Sequence, residues 1–146
     1  MEYTLKKPLE VYNKDRGEYE PQDTIVVSFT GKKGLQVIRR LQDEIFKIFA
    51  EQGKNRNVTA EQKEKTEDKL VTTDELFDAL EMTGQSAFLF QEVMGALKSF
   101  ANVDGKKLDD TLQESMSIED LEGLYEEVIK SFLLPKITKR MNGTTK

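Results

Sequence analysis

The chain has 146 residues, enough for one domain with a core of its own. It holds no cysteine and no histidine, which excludes disulfides, thiolate nucleophiles, imidazole bases and Cys- or His-ligated metals, so that catalysis would have to run on carboxylates, lysine or tyrosine alone. Its 27 acidic residues outnumber 22 basic ones, and the resulting charge of -5 disfavours a general affinity for phosphate backbones.

Glu2 to Lys7 alternates weakly around Tyr3 and Leu5 and reads as a short strand. Met1 to Pro8 lacks the long apolar region of a secretory signal, and no run of about 18 apolar residues follows anywhere, so a cytoplasmic protein without a membrane span is expected. The triplets Asn57-Val58-Thr59 and Asn142-Gly143-Thr144 then have no secretory context that would make them glycosylation sites. Asn13 to Gln22 is polar, contains Gly17 and Pro21, and reads as a loop or hairpin connection. Thr24 to Phe29 is β-branched and aromatic and is the strongest strand of the chain. A two- or three-stranded N-terminal element is expected, and helices must cover it because so small a sheet is not stable alone.

Gly31 to Gly34 turns the chain into a helix predicted over Leu35 to Gln52, where Ile38, Leu41, Ile45, Ile48 and Phe49 recur at three- and four-residue steps. Gly53 stops it. Residues 54–71 are predicted to be a polar linker, since Val58 is the one large apolar residue between Lys54 and Lys69 and nothing there can bury itself. Thr72-Thr73-Asp74-Glu75 has the form of a capping box before a short helix with Leu76, Phe77 and Leu80 on its apolar side, and Gly84 marks a break. Phe88, Leu89, Phe90, Val93, Met94, Leu97 and Phe100 belong to the most apolar helix, which Asn102 to Gly105 is expected to stop. After a charged connection, Ser117 to Asp120 repeats a cap signature. The last helix carries a seam of Ile118, Leu121, Tyr125, Val128 and Phe132, widened by Leu124, Ile129 and Leu133, with Glu126 and Lys130 set to pair across one turn. Pro135 ends the pattern, and residues 136–146 form a flexible basic tail. The expected organisation is therefore strands plus first helix in 1–53, linker in 54–71, a helical region in 72–135 and the tail, within one structural domain. The fold class is α+β, mainly α, with a small N-terminal antiparallel β element packed on about four helices.

The motifs that invite chemistry do not survive inspection of their spacing. Gly31 and Gly34 are too close for a Walker loop, which needs four residues between its glycines and Lys-Ser/Thr after them, and a third glycine is missing for a dinucleotide fingerprint. A Gly-x-x-Gly loop that clamps RNA normally joins two helices, whereas this one is predicted to join a strand to a helix. A strand-to-helix turn is the expected role. Asp104 to Asp110 gathers acids near a glycine, but Lys106 would stand at the third ligand position of a calcium loop and Gly105 comes too early. Glu119 and Glu122 have nothing about them that would raise one carboxyl and make it an acid. No catalytic residue, cofactor or metal is therefore expected. The basic clusters Lys32 to Arg40 and Lys136 to Lys146 lack interleaved aromatics and suit solubility or partner contact better than nucleic acid.

The apolar stripes carry more. Core packing accounts for most of them, yet Phe132-Leu133-Leu134 is hard to hide near a chain end, and apolar groups left at a surface imply a protein partner or a second copy of the chain. Phe132, Leu133 and Leu134 are the expected protein-binding residues, with Val93, Leu97 and Phe100 second.

The order of segments, from the strand Thr24 to Phe29 through the helix Leu35 to Gln52 and the polar break to Asp120-Leu121-Glu122-Gly123-Leu124-Tyr125-Glu126-Glu127-Val128-Ile129, resembles the tail assembly chaperones of long-tailed bacteriophages infecting Gram-positive bacteria. The resemblance implies a non-enzymatic protein of the host cytoplasm, absent from the mature virion, that binds the tape measure protein or another tail protein and keeps it soluble. It transfers no functional residue, because that family has no residue-level motif. A small nucleic-acid-binding or regulatory phage protein using Gly31 to Arg40 is the alternative.

Overall fold

The computed structural model describes residues 1–54 and 72–134. The expected linker, beyond Lys54, and the expected basic tail lie outside the described residues. Among the described residues an antiparallel sheet and five α-helices enclose one apolar cluster, an α+β arrangement that is mainly α.

Strands β1 (Glu2–Asn13) and β2 (Glu18–Val27) form a long hairpin. Its turn is narrower than the predicted loop. Asn13 Oδ1 accepts from the amides of Asp15 and Arg16, Gly17 takes φ +66°, and pairing resumes at Glu18. Pro21 lies in a stretch of β2 that has β1 as its one strand neighbour, an edge-like position where a strand proline is tolerated. The other proline acts differently. Between Thr4 and Leu9 the register slips, so Leu5 to Pro8 leave the ladder around a residue with no amide hydrogen to give.

Helix α1 (Gly31–Lys54) starts four residues before the predicted Leu35. Gly31 takes φ +72°, and a Cβ on Gly34 would stand 2.9 Å from the backbone carbonyl carbon of Phe29, so the second glycine allows the helix to begin hard against the strand it follows. This is the strand-to-helix turn that the spacing predicts. Helix α2 (Thr73–Thr83) opens as expected, with the Glu75 amide donating to Thr72 Oγ1, while the Thr72 hydroxyl in turn donates to the Glu75 carboxylate. It ends at Gly84 in the left-handed region (φ 69°), the predicted break. Helix α3 (Ser86–Phe100) follows directly.

Past α3 the structure departs from the helix-ending turn expected of Asn102 to Gly105. Asp104 (φ 51°) and Gly105 (φ 81°) form the tight turn of a second hairpin, β3 (Ala101–Val103) and β4 (Lys106–Lys107), whose first strand adds to β2 at Ile25 to Val27. The sheet, ordered β1-β2-β3-β4, is thus built from both halves of the chain. The charged connection holds a short helix, α4 (Asp110–Ser115), capped by Asp109.

Helix α5 (Ile118–Val128) opens on the predicted Ser117 cap and continues into one π-helical turn, Ile129–Leu133, with Lys130 and Glu126 paired as expected. The predicted seam is displaced. Ile118 is 75% exposed, and the fully enclosed residues are Leu124, Val128, Ile129 and Leu133. The wider π turn advances the chain by fewer degrees per residue, which keeps Ile129 and Leu133 on the inner side.

One buried carboxylate joins the two halves. Asp120 accepts from the amides of Lys6 (2.9 Å) and Lys7 (3.0 Å), the Ser117 hydroxyl (3.0 Å) and the Tyr3 hydroxyl (3.2 Å). The amides that β1 withdraws from its ladder at the slip are therefore paired by the first turn of α5. Tyr3 lies over Gly123, where a Cβ would fall 2.3 Å from its hydroxyl oxygen, so any side chain at that position would displace the Tyr3 ring.

Candidate functional site

Three of the six residues expected to bind a partner are core. Val93, Leu97 and Leu133 are each 0% exposed, enclosed between the sheet and the surrounding helices. A side chain that reaches no solvent offers no docking surface, so the expectation is corrected for these three. Phe132 is half-buried and packs edge-on against Phe29, with ring centres 4.9 Å apart, and Leu134 is half-buried against the core. The apolar carboxyl end is largely absorbed by the π turn that folds it back. Phe100, the last of the six, borders an open concavity.

That concavity is a groove of about 480 Å³ between the first turns of α1 and the end of α3, lined by Lys33, Gln36, Val37, Arg40, Ser99 and Phe100. Residues 33, 36, 37 and 40 share one helical face because they fall at three- and four-residue steps. The far wall is set by three contacts. Phe29 packs against Phe100 at 5.0 Å, the Ser28 amide donates to the Phe100 carbonyl (2.8 Å), and Arg40 pairs with Glu92 of α3. Val37 and Phe100 are half-buried and form an apolar floor, while Lys33, Gln36, Arg40 and Ser99 are exposed.

The electrostatics of this edge oppose helix stability. The first turn of α1 contains no acid, and it carries Lys32 and Lys33 where the helix dipole is positive. Among the described residues no carboxylate pairs with Lys32, Lys33 or Arg39, and Arg40 has Glu92. By contrast, α2 and α5 begin with Asp74, Glu75 and Glu119, Asp120, the charges that favour a helix start. The basic cluster Lys32 to Arg40 is visible in the sequence, but its use as a wall is not, because the opposite wall lies some sixty residues further on.

Two buried polar groups stand elsewhere. Burial alone would raise the Asp120 carboxyl, but the Lys6 and Lys7 amides and the Ser117 and Tyr3 hydroxyls outweigh it and hold it below the ordinary value. With four donors on its two oxygens it joins structural elements and has no free position from which to exchange a proton with a ligand. Burial pushes the Tyr125 phenol well up, and between Phe77 and Phe90 its hydroxyl has no hydrogen-bond partner among the described residues. Among the described residues no three acids converge as a metal site would require, and no helix is long and apolar enough to cross a membrane. Comparison of the chain with protein-family models, with curated proteins and with solved structures finds no match in any of the three.

Proposed function

We propose that this protein acts without catalysis, by holding another polypeptide, and that it serves as a tail assembly chaperone which keeps the tape measure protein of a long-tailed phage soluble in the host cytoplasm and is left out of the finished virion. The groove between α1 and α3 is the observation that supports binding. It combines an apolar floor with exposed cations on an open surface, which suits a side chain of a polypeptide better than the enclosure a small substrate needs. The segment order, with a strand, a long helix, a polar break and an acidic closing helix, supports the chaperone role by resemblance. The absence of histidine and cysteine from the whole sequence agrees with a binding protein.

Co-expression with a tape measure protein tests the role. The client should move from the pellet to the soluble fraction and co-purify with this chain; equal insolubility with and without it would defeat the proposal. Lys32, Lys33 and Arg39, which have no carboxylate partner among the described residues, favour a second reading, a small nucleic-acid-binding or regulatory protein. A gel shift distinguishes the two, since phosphate-driven binding weakens steeply as salt rises.

A further inference from the structure

We infer that the α1–α3 groove receives an acidic amphipathic helical segment of a protein partner, seating an apolar side chain on Val37 and Phe100 and its carboxylates against Lys33 and Arg40. The inference rests on reading the chain as a binding protein, and it holds whichever client is bound.

Charge complementarity selects the occupant. Lys33, which lines the groove, stands at the end of α1 where cations cost helix stability and has no carboxylate partner among the described residues; Lys32 and Arg39 flank the groove without lining it, and Arg40 engages Glu92 through one guanidinium nitrogen and is otherwise exposed. Groups that break a local rule without an internal gain mark a surface completed by something else. What completes this one carries negative charge. It also carries apolar surface, because the base of the groove is Val37 and the ring of Phe100, which Phe29 holds in place from behind. A polyanion needs a long cationic track that a chain of net charge -5 does not extend. A volume of about 480 Å³ takes one or two large side chains rather than a bare ion. An amphipathic helix with Leu and Glu on adjoining faces meets both demands at once. The chain's own tail is basic at Lys136, Lys139 and Arg140 and does not supply the charge.

The test is a titration of the isotope-labelled full chain with a synthetic amphipathic helix of Leu and Glu, read by amide chemical shifts. Shifts should concentrate at Lys33, Val37, Arg40, Ser99 and Phe100. Lys33→Glu should weaken binding about tenfold, while Lys14→Glu, an equal charge change at the far hairpin turn, should leave it unchanged. Ser99→Trp, which fills the groove without altering charge, should also weaken it. Four results would overturn the inference: no shift at concentrations up to about 1 mM, equal losses from Lys33→Glu and Lys14→Glu, equal affinity for the same peptide with Gln in place of Glu, or tighter binding of a single-stranded oligonucleotide that Ser99→Trp blocks. A tape measure protein that stays insoluble would end the chaperone reading and leave this titration untouched. A failed titration beside a solubilised client would place the client elsewhere on the surface.

Discussion

Asp120 concentrates at one side chain what joins the amino-terminal strand to the last helix. Its oxygens pair one each of the Lys6 and Lys7 amides that the slip in β1 takes out of the ladder, so replacing one oxygen by an NH2 group leaves one of these part-buried donors without an acceptor. Asp120→Asn should cost about 2–3 kcal/mol in urea denaturation at neutral pH, because hydrogen bonds to a charged acceptor are the strong ones and an amide turns donors toward donors. The sign with pH follows from the depressed carboxyl. The native state holds this proton less tightly than the unfolded chain, so the contribution is fully present above the ordinary carboxylate range and fades as pH falls through the lower native value. The gap between wild type and Asp120→Asn should therefore be widest at neutral pH and close below about pH 4; a gap independent of pH would mean that the carboxylate is not the group responsible. Tyr125 presents the opposite case. Its hydroxyl is buried without a partner among the described residues, so Tyr125→Phe should leave thermal stability unchanged or raise it by about 1 kcal/mol, and a loss would mean that the hydroxyl is hydrogen-bonded.

At the level of the elements, the predicted and observed structures agree where the signal is local. The Thr72 and Ser117 caps, the Gly84 ending and the Glu126–Lys130 pair all depend on residues within one turn of each other, and all are present. The Asp104-Gly105 dipeptide is a hairpin signal that, read locally, suits a helix ending equally well. Two strands of three and two residues are too short for any alternating pattern, and the dipeptide was their one mark. The last helix shows the limit of periodicity. An apolar seam drawn with a uniform turn includes Ile118 at its start, but the π turn after Val128 changes the phase and draws Leu133 inside. Leu133→Ala should accordingly act as a core truncation, costing about 2–5 kcal/mol with a lowered melting temperature. A variant that kept its melting temperature while losing a client would return Leu133 to the surface role expected of it.

The whole molecule is interleaved rather than sequential. β3 and β4 come from beyond α3 to complete the sheet begun by β1 and β2, and Asp120 ties β1 to α5. The amino-terminal fragment 1–54 should therefore show no cooperative thermal transition by circular dichroism, because its hairpin lacks β3 and its helix lacks α2 and α3 to bury Leu41, Ile45 and Ile48. A sharp transition in that fragment would make the two halves separate units.

Composition and short-range pattern were enough to exclude imidazole and thiolate chemistry, to place the strong strand and the main helices, and to predict a mainly α fold with a small antiparallel sheet. Each of those depends on which atoms exist or on residues within a turn or a pleat of one another. Tertiary structure alone decided which apolar stripes are hidden and where a concave surface lies. Val93 and Leu97 carry no mark of their own that separates core from docking face, since enclosure is a property of what packs on them from elsewhere in the chain. The groove likewise exists because Gly34 lets α1 begin against Phe29, which brings Lys33 and Arg40 beside Ser99 and Phe100.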